Sequence, residues 1–211
     1  MKYLFANWKN ALTSDESVAL AQQVVQLTIP PDVQLVLFPN AAALAQVKEA
    51  VGGKIMLGAQ DLDIVRNFQG TYVLIGHSDR RRAGDTDEIV AEKMKRAVTA
   101  GVLPVLCVSK AAEVESALKN SLPSEVFIAY EPLYAIGTGK NAPESEVSEM
   151  AAHIRAQISK ISPKSALHIL YGGSVNAENV ASYIHLPGVE GVLVGGAGTT
   201  LQSLRGVLKA L

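Results

Sequence analysis

Eight short apolar runs recur along the chain and limit its possible folds more than any other feature. They are YLFA (3–6), VQLVLF (33–38), KIMLG (54–58), TYVLIG (71–76), VLPVLCV (102–108), VFIAY (126–130), LHILY (167–171) and GVLVG (191–195). Most are nearly continuous in apolar residues and do not alternate with polar ones. Strands of that kind must be covered on both faces, as in a parallel sheet flanked by helices. Helix-like segments separate them. SDESVALAQQVVQL opens with Ser14 as its N-cap, DTDEIVAEKMKRAVTAG stops at Gly101, and APESEVSEMAAHIRAQI has Pro143 near its start. NAENVASYI and TTLQSLRGVLKAL complete the set.

Eight strands with helices between them point to a closed (β/α)8 barrel. The rival is an open doubly wound sheet, which places a glycine-rich phosphate turn after its first strand. Here the first strand runs into NWKN, without a glycine. The glycine turns come late, as YGGS after strand seven and VGGAG after strand eight. That is where barrels bind phosphate. The length of 211 residues implies one domain, 1–211. It is close to the lower limit of about 200 for this architecture, so units must be trimmed. The third has only AQDLDIVRNFQG between its strands, room for about one helical turn. The fifth has only AAEVESALKN as its helix.

Composition removes several classes of function. A net charge of −1 favours neither nucleic acid nor an anionic membrane as partner. Cys107 is the single cysteine, so no disulfide framework or cysteine metal cluster is expected, and the histidines at 77, 153, 168 and 185 are scattered. No apolar run has the length of a membrane span, and MKYLFANWKN does not read as a signal peptide. The expected location is cytoplasmic.

In a barrel, chemistry gathers where strands end. After strand one come Asn7 and Lys9; after strand four, His77; after strand six, Glu131, set against Pro132. Each alone has an ordinary reading as a solvated lysine, a structural histidine or a loop carboxylate. Their common placement at C-terminal strand ends makes them converge on one mouth. GTGKN imitates a phosphate-binding P-loop, but Tyr134 stands where its first glycine belongs and Asn141 where it needs Ser or Thr.

The motifs NWK (7–9), GAQD (58–61), YVLIGHSDRR (72–81), AYEPLYAIGTGK (129–140), ILYGGSVNAENV (169–180) and GVLVGGAG (191–198) together resemble the triosephosphate isomerase family. The resemblance spans nearly the whole chain. It implies the TIM-barrel fold and interconversion of dihydroxyacetone phosphate and D-glyceraldehyde 3-phosphate through an enediolate, without metal or cofactor. It assigns Glu131 as the base and His77 as a neutral hydrogen-bond donor, the pairing for which this family is known. Lys9 would supply positive charge, Asn7 would hold substrate oxygen and Lys9, and Asp79 would pair with Lys9. Gly137, on a lid that closes over substrate, would bind phosphate with Ser174, Gly195 and Gly196.

The chain departs from the family in three places. GHSDRR replaces the usual GHSERR, so Asp79 is one methylene short of the expected acid and should leave a gap to Lys9. Ser109-Lys110 replaces a glycine-glutamate pair, leaving no acid near the histidine. The long loop after strand three, which braces the Asn7–Lys9 segment of a neighbouring subunit, is nearly gone. These departures imply a monomer or weak homodimer, a mobile Asn7–Lys9 segment and reduced activity. They leave open a second reading, a catalytically weak or silent phosphate-binding barrel.

Overall fold

The computed structural model describes residues 1–63, 72–119, 121 and 123–211. Eight parallel strands close into a barrel in sequence order: β1 (Lys2–Asn7), β2 (Val33–Phe38), β3 (Met56–Ala59), β4 (Tyr72–Ile75), β5 (Leu103–Val108), β6 (Glu125–Tyr130), β7 (Ala166–Tyr171) and β8 (Gly191–Val194). β8 returns to β1 with Tyr3 opposite Gly191 and Ala6 opposite Val194. The helices are α1 (Ser14–Val24), α2 (Leu44–Val51), α3 (Ser78–Arg82), α4 (Asp87–Thr99), α5 (Ala112–Leu118), α6 (Glu144–Ile161), α7 (Val180–Ile184) and α8 (Leu201–Ala210).

The continuous apolar runs divide between two cores. Alternate residues such as Tyr3, Phe5, Phe38, Tyr72, Leu74, Cys107, Phe127 and Leu193 fill the barrel. Their neighbours, such as Leu4, Ala6, Leu37, Val73 and Ile128, pack outward in the core that includes the helices. Inside, Tyr3, Phe5, Tyr72 and Phe127 meet mainly edge to face, with Tyr3 and Phe127 centroids 4.9 Å apart. That geometry suits aromatic quadrupoles. β3 contributes Gly58, and a Cβ there would run into the ring of Phe38. The ring occupies the space that a β3 side chain would take.

Two helix details differ from the sequence expectation. α1 is capped by Thr13, not Ser14: Thr13 Oγ1 accepts the Glu16 N–H while Glu16 accepts the Thr13 N–H, a reciprocal capping box. α2 was not among the expected helices. Ala43 at its start offers no capping side chain, and the end is marked only by Gly52 in the left-handed region.

Both trimmed units are short. Only residues 60–71 separate β3 from β4, and α5 has 7 residues. The expectation that Ile64, Val65 and Phe68 fold back over strands three and four lies outside the described residues. The start of the third connection is held by charge. Asp61, Arg80, Asp85 and Lys93 form a ring, with Arg80–Asp61 at 2.7 Å, Arg80–Asp85 at 3.3 Å, Lys93–Asp61 at 2.8 Å and Lys93–Asp85 at 2.7 Å. Asp61, Asp85 and Lys93 are all buried. The ring ties the end of β3 to α3 and α4. Among the described residues no helix is long and apolar enough to cross a membrane.

Candidate active site

The C-terminal ends of the strands surround a cavity of about 500 Å³. It is lined by Asn7, Lys9, His77 and Glu131 and by Gly137, Gly172, Gly173, Ser174, Gly195 and Gly196. Every residue expected at the site therefore lines one space, except Asp79, which stands just behind Lys9.

Glu131 is delivered by β6. Its N–H continues the ladder to the Val108 carbonyl at 2.7 Å, so the carboxylate leaves a stiff strand, and Pro132 restricts the turn that follows. The side chain is only 4 % exposed, which makes its hydrogen bonds decisive. Oε2 accepts the Ser78 N–H at 3.2 Å, and Oε1 lies 3.2 Å from His77 Nε2. Gly172 leaves room for this arrangement, because a Cβ there would meet Glu131 Cγ at 2.9 Å.

His77 is the N-cap of α3. Its Nδ1 accepts the Asp79 N–H at 3.2 Å. That leaves Nε2 as the ring nitrogen that faces Glu131. The Asn7 amide nitrogen lies 3.2 Å from the same Nε2, while Asn7 Oδ1 accepts the Lys9 N–H.

The expected gap between Lys9 and Asp79 is corrected: Lys9 Nζ stands 3.2 Å from Asp79 Oδ2. The flexible lysine stem makes up the methylene that the shorter acid lacks. Arg82 adds a second contact to Asp79 at 3.0 Å. Partial burial works to raise the Asp79 carboxyl, but the positive charge around it, Lys9 and Arg82 included, outweighs that and holds it below the usual carboxylate range.

Beyond the end of β5, where the expected glycine-glutamate pair is missing, an acid comes from elsewhere. Glu113, from α5, is buried and accepts the Ser109 N–H at 2.7 Å and the Ser109 hydroxyl at 3.1 Å. It stands 4.0 Å from Arg81, whose Nε donates to the carbonyl of Gly76, the residue before His77. An acid from the following helix turns back toward the position that the strand end leaves without one.

The segment after Glu131 is anchored on both sides. Ser174 donates to the Ala135 carbonyl at 2.6 Å. Tyr171 accepts the Ala142 N–H at 2.8 Å, and Tyr183 donates to the Ala142 carbonyl at 2.6 Å. Between these anchors Gly137 and Gly139 have positive φ, and just before them Leu133 and Tyr134 are exposed. Tyr134 and Tyr130 both donate to Glu146, at 2.6 and 2.7 Å. That bond is the main reason the Tyr134 phenol is pushed up to about 12.

The family model described as Triosephosphate isomerase matches residues 2–211. The chain belongs to the triosephosphate isomerase family. Among similar proteins, the triosephosphate isomerase of Paracidovorax citrulli is 35% identical, over 99% of this chain and 98% of its own. That of Thermus thermophilus is 34% identical over 96% of both chains, and that of Dehalococcoides mccartyi 35% over 93% and 92%. Family membership, with the cavity, brings forward residues that the sequence reading left without a role: Ser78 as a backbone donor to Glu131, and Gly172 and Gly173 as cavity wall. The YGGS turn was visible in the sequence, but not that both its glycines face the mouth. Among the described residues, no three His, Cys, Asp or Glu side chains are grouped to hold a metal ion.

Proposed function

We propose that this chain interconverts dihydroxyacetone phosphate and D-glyceraldehyde 3-phosphate through an enediolate, as a single cytoplasmic barrel domain. The observation that carries this reading is the meeting of Glu131, His77 and Lys9 in one cavity that glycine turns also line. The substrate calls for both: groups that act on a carbonyl and a hydroxyl, and backbone N–H groups for a phosphate.

Glu131 removes the proton from the carbon next to the carbonyl and returns it to the neighbouring carbon. His77 Nε2–H donates to the oxygen that gains charge and shuttles the hydroxyl proton between the two oxygens. Lys9 balances that charge, and Asn7 holds its backbone. The backbone N–H groups of Gly137, Ser174, Gly195 and Gly196 take the phosphate. In the resting site Glu131 is bound to Ser78 and His77, so substrate must draw the carboxylate away from both. Residues 132–140 act as the lid, whose closure excludes water and strengthens the electrostatics. Phosphate binding, remote from the reacting carbons, drives it.

The chain works as a monomer or weak homodimer. A stable interface takes about 800 Å² from each partner, and the connection of residues 60–71 is too short to supply the family's interlocking loop. A coupled assay with each triose phosphate tests the activity; no turnover in either direction would sink it. Sedimentation velocity at several concentrations tests the assembly, where a concentration-independent dimer would refute it.

A further inference from the structure

Lys9 sits in an unusual backbone state. Its φ is +50°, and among the described residues no other non-glycine residue has a positive φ. That region crowds Cβ against the backbone, so a lysine stays there only when its surroundings hold it. Both of its peptide groups are held by side chains. Asn7 Oδ1 accepts the Lys9 N–H at 3.0 Å. On the other side, Gln60 Nε2 donates to the Lys9 carbonyl at 2.9 Å and to the Phe38 carbonyl at 3.0 Å. An amide nitrogen has two hydrogens, and here each has a backbone acceptor. One side chain therefore pins the strained residue to the end of β2.

Gln60 is the first residue beyond β3, in the connection shortened to residues 60–71. Trp8, fully buried, adds its N–H to the Phe38 carbonyl at 3.0 Å, and Asn40 donates to the Leu12 carbonyl at 2.8 Å. The segment expected to be mobile is thus tied down from within the chain. Among the described residues, only the Gln60 bond reaches the carbonyl of Lys9 itself.

We propose that Gln60 is a positioning residue for Lys9: its amide holds the lysine backbone in the left-handed region and so aims Nζ into the cavity. The proposal rests on Lys9 being the cation of the proposed site. Without the amide, the Lys9 peptide relaxes toward negative φ and Nζ leaves its place beside Asp79.

The test uses Gln60→Ala and Gln60→Glu. The second keeps the shape but loses both donors when ionised. A displacement of about 1 Å costs on the order of 100-fold in rate, so kcat should fall at least about tenfold in both variants. Amide exchange of residues 8–11 should rise at least about tenfold, while the midpoint of thermal unfolding changes little. 2-Phosphoglycolate, a phosphate-bearing carboxylate that mimics the charge of the enediolate, should bind at least about fivefold more weakly with Lys9 present and within about twofold of unchanged in a Lys9→Met background. A kcat within twofold of the parent, or the same loss of affinity in both backgrounds, would overturn the proposal. If the parent chain fails to isomerise, the functional reading falls, and exchange and 2-phosphoglycolate binding still decide on Gln60. A rise in exchange with Lys9-dependent loss of binding upholds it, and no change in either overturns it.

Discussion

The two walls of the cavity are built by different means. The wall from β1, β3 and β4 is held by side chains: Asn7 and Gln60 on the Lys9 backbone, Asp79 on its ammonium, and the ring of Asp61, Arg80, Asp85 and Lys93 behind. The wall from β6, β7 and β8 presents backbone, with glycine turns at the cavity and neutral hydroxyls on main-chain groups at the two ends of the lid, Ser174 on Ala135 and the tyrosines on Ala142. The first wall is where the chain is shortened. With little backbone between strands, position has to be set by ion pairs and by side chains reaching main-chain carbonyls. Where the connection keeps its length, ordinary hydrogen bonds suffice. The first wall should therefore fail abruptly on removal of one charged partner, and the second gradually.

The largest effect should come where the walls meet. Glu131→Gln should lower isomerisation by at least about 1,000-fold, within the range for loss of a general base, while 2-phosphoglycolate still binds more weakly. A variant keeping more than a tenth of the parent rate would remove Glu131 from that role. Next is the charged wall. Lys93→Met leaves two buried carboxylates with Arg80 in place of two shared cations, a break in a buried pair that typically costs about 3–5 kcal/mol, and should lower the unfolding midpoint by roughly 10 °C. The matching cut on the second wall is Tyr183→Phe, which removes the hydroxyl between Asn141 and Ala142. It should cost about 1–2 kcal/mol. Equal losses in denaturant unfolding of these two variants would break the comparison.

The smallest effect concerns pH. The Asp79 carboxyl is lowered in the folded chain, so the unfolded chain binds the extra proton. Its contribution to stability is complete above the unfolded pKa of about 3.9 and is lost as pH falls through the lower folded value. The stability difference between the parent and Asp79→Asn should therefore persist down to about pH 4 and close below it. A difference that closes between pH 5 and 7 would assign the pair to another group.

The barrel was legible because runs such as VQLVLF and VFIAY have no polar face and admit only two-sided burial. The strand-end residues followed from that, since Lys9, His77 and Glu131 must share a mouth once the strands are parallel and closed. What stayed hidden depended on side-chain reach. The sequence shows Asp79 as one methylene short, yet cannot show that Lys9 extends to meet it. Glu113 lies on a helix whose return toward Arg81 is a tertiary fact. Gln60 stands in plain view in GAQD, but strand periodicity does not report where the first residue past a strand points its amide. α2 escaped notice because it lacks a capping side chain at Ala43.

The left-handed backbone at Lys9 also sets a hazard for anyone improving this protein. A glycine there would relieve the strain and remove the cation in one step. Directed evolution scored only on heat resistance would thus be drawn toward discarding the charge, and library screens need a turnover filter from the first round.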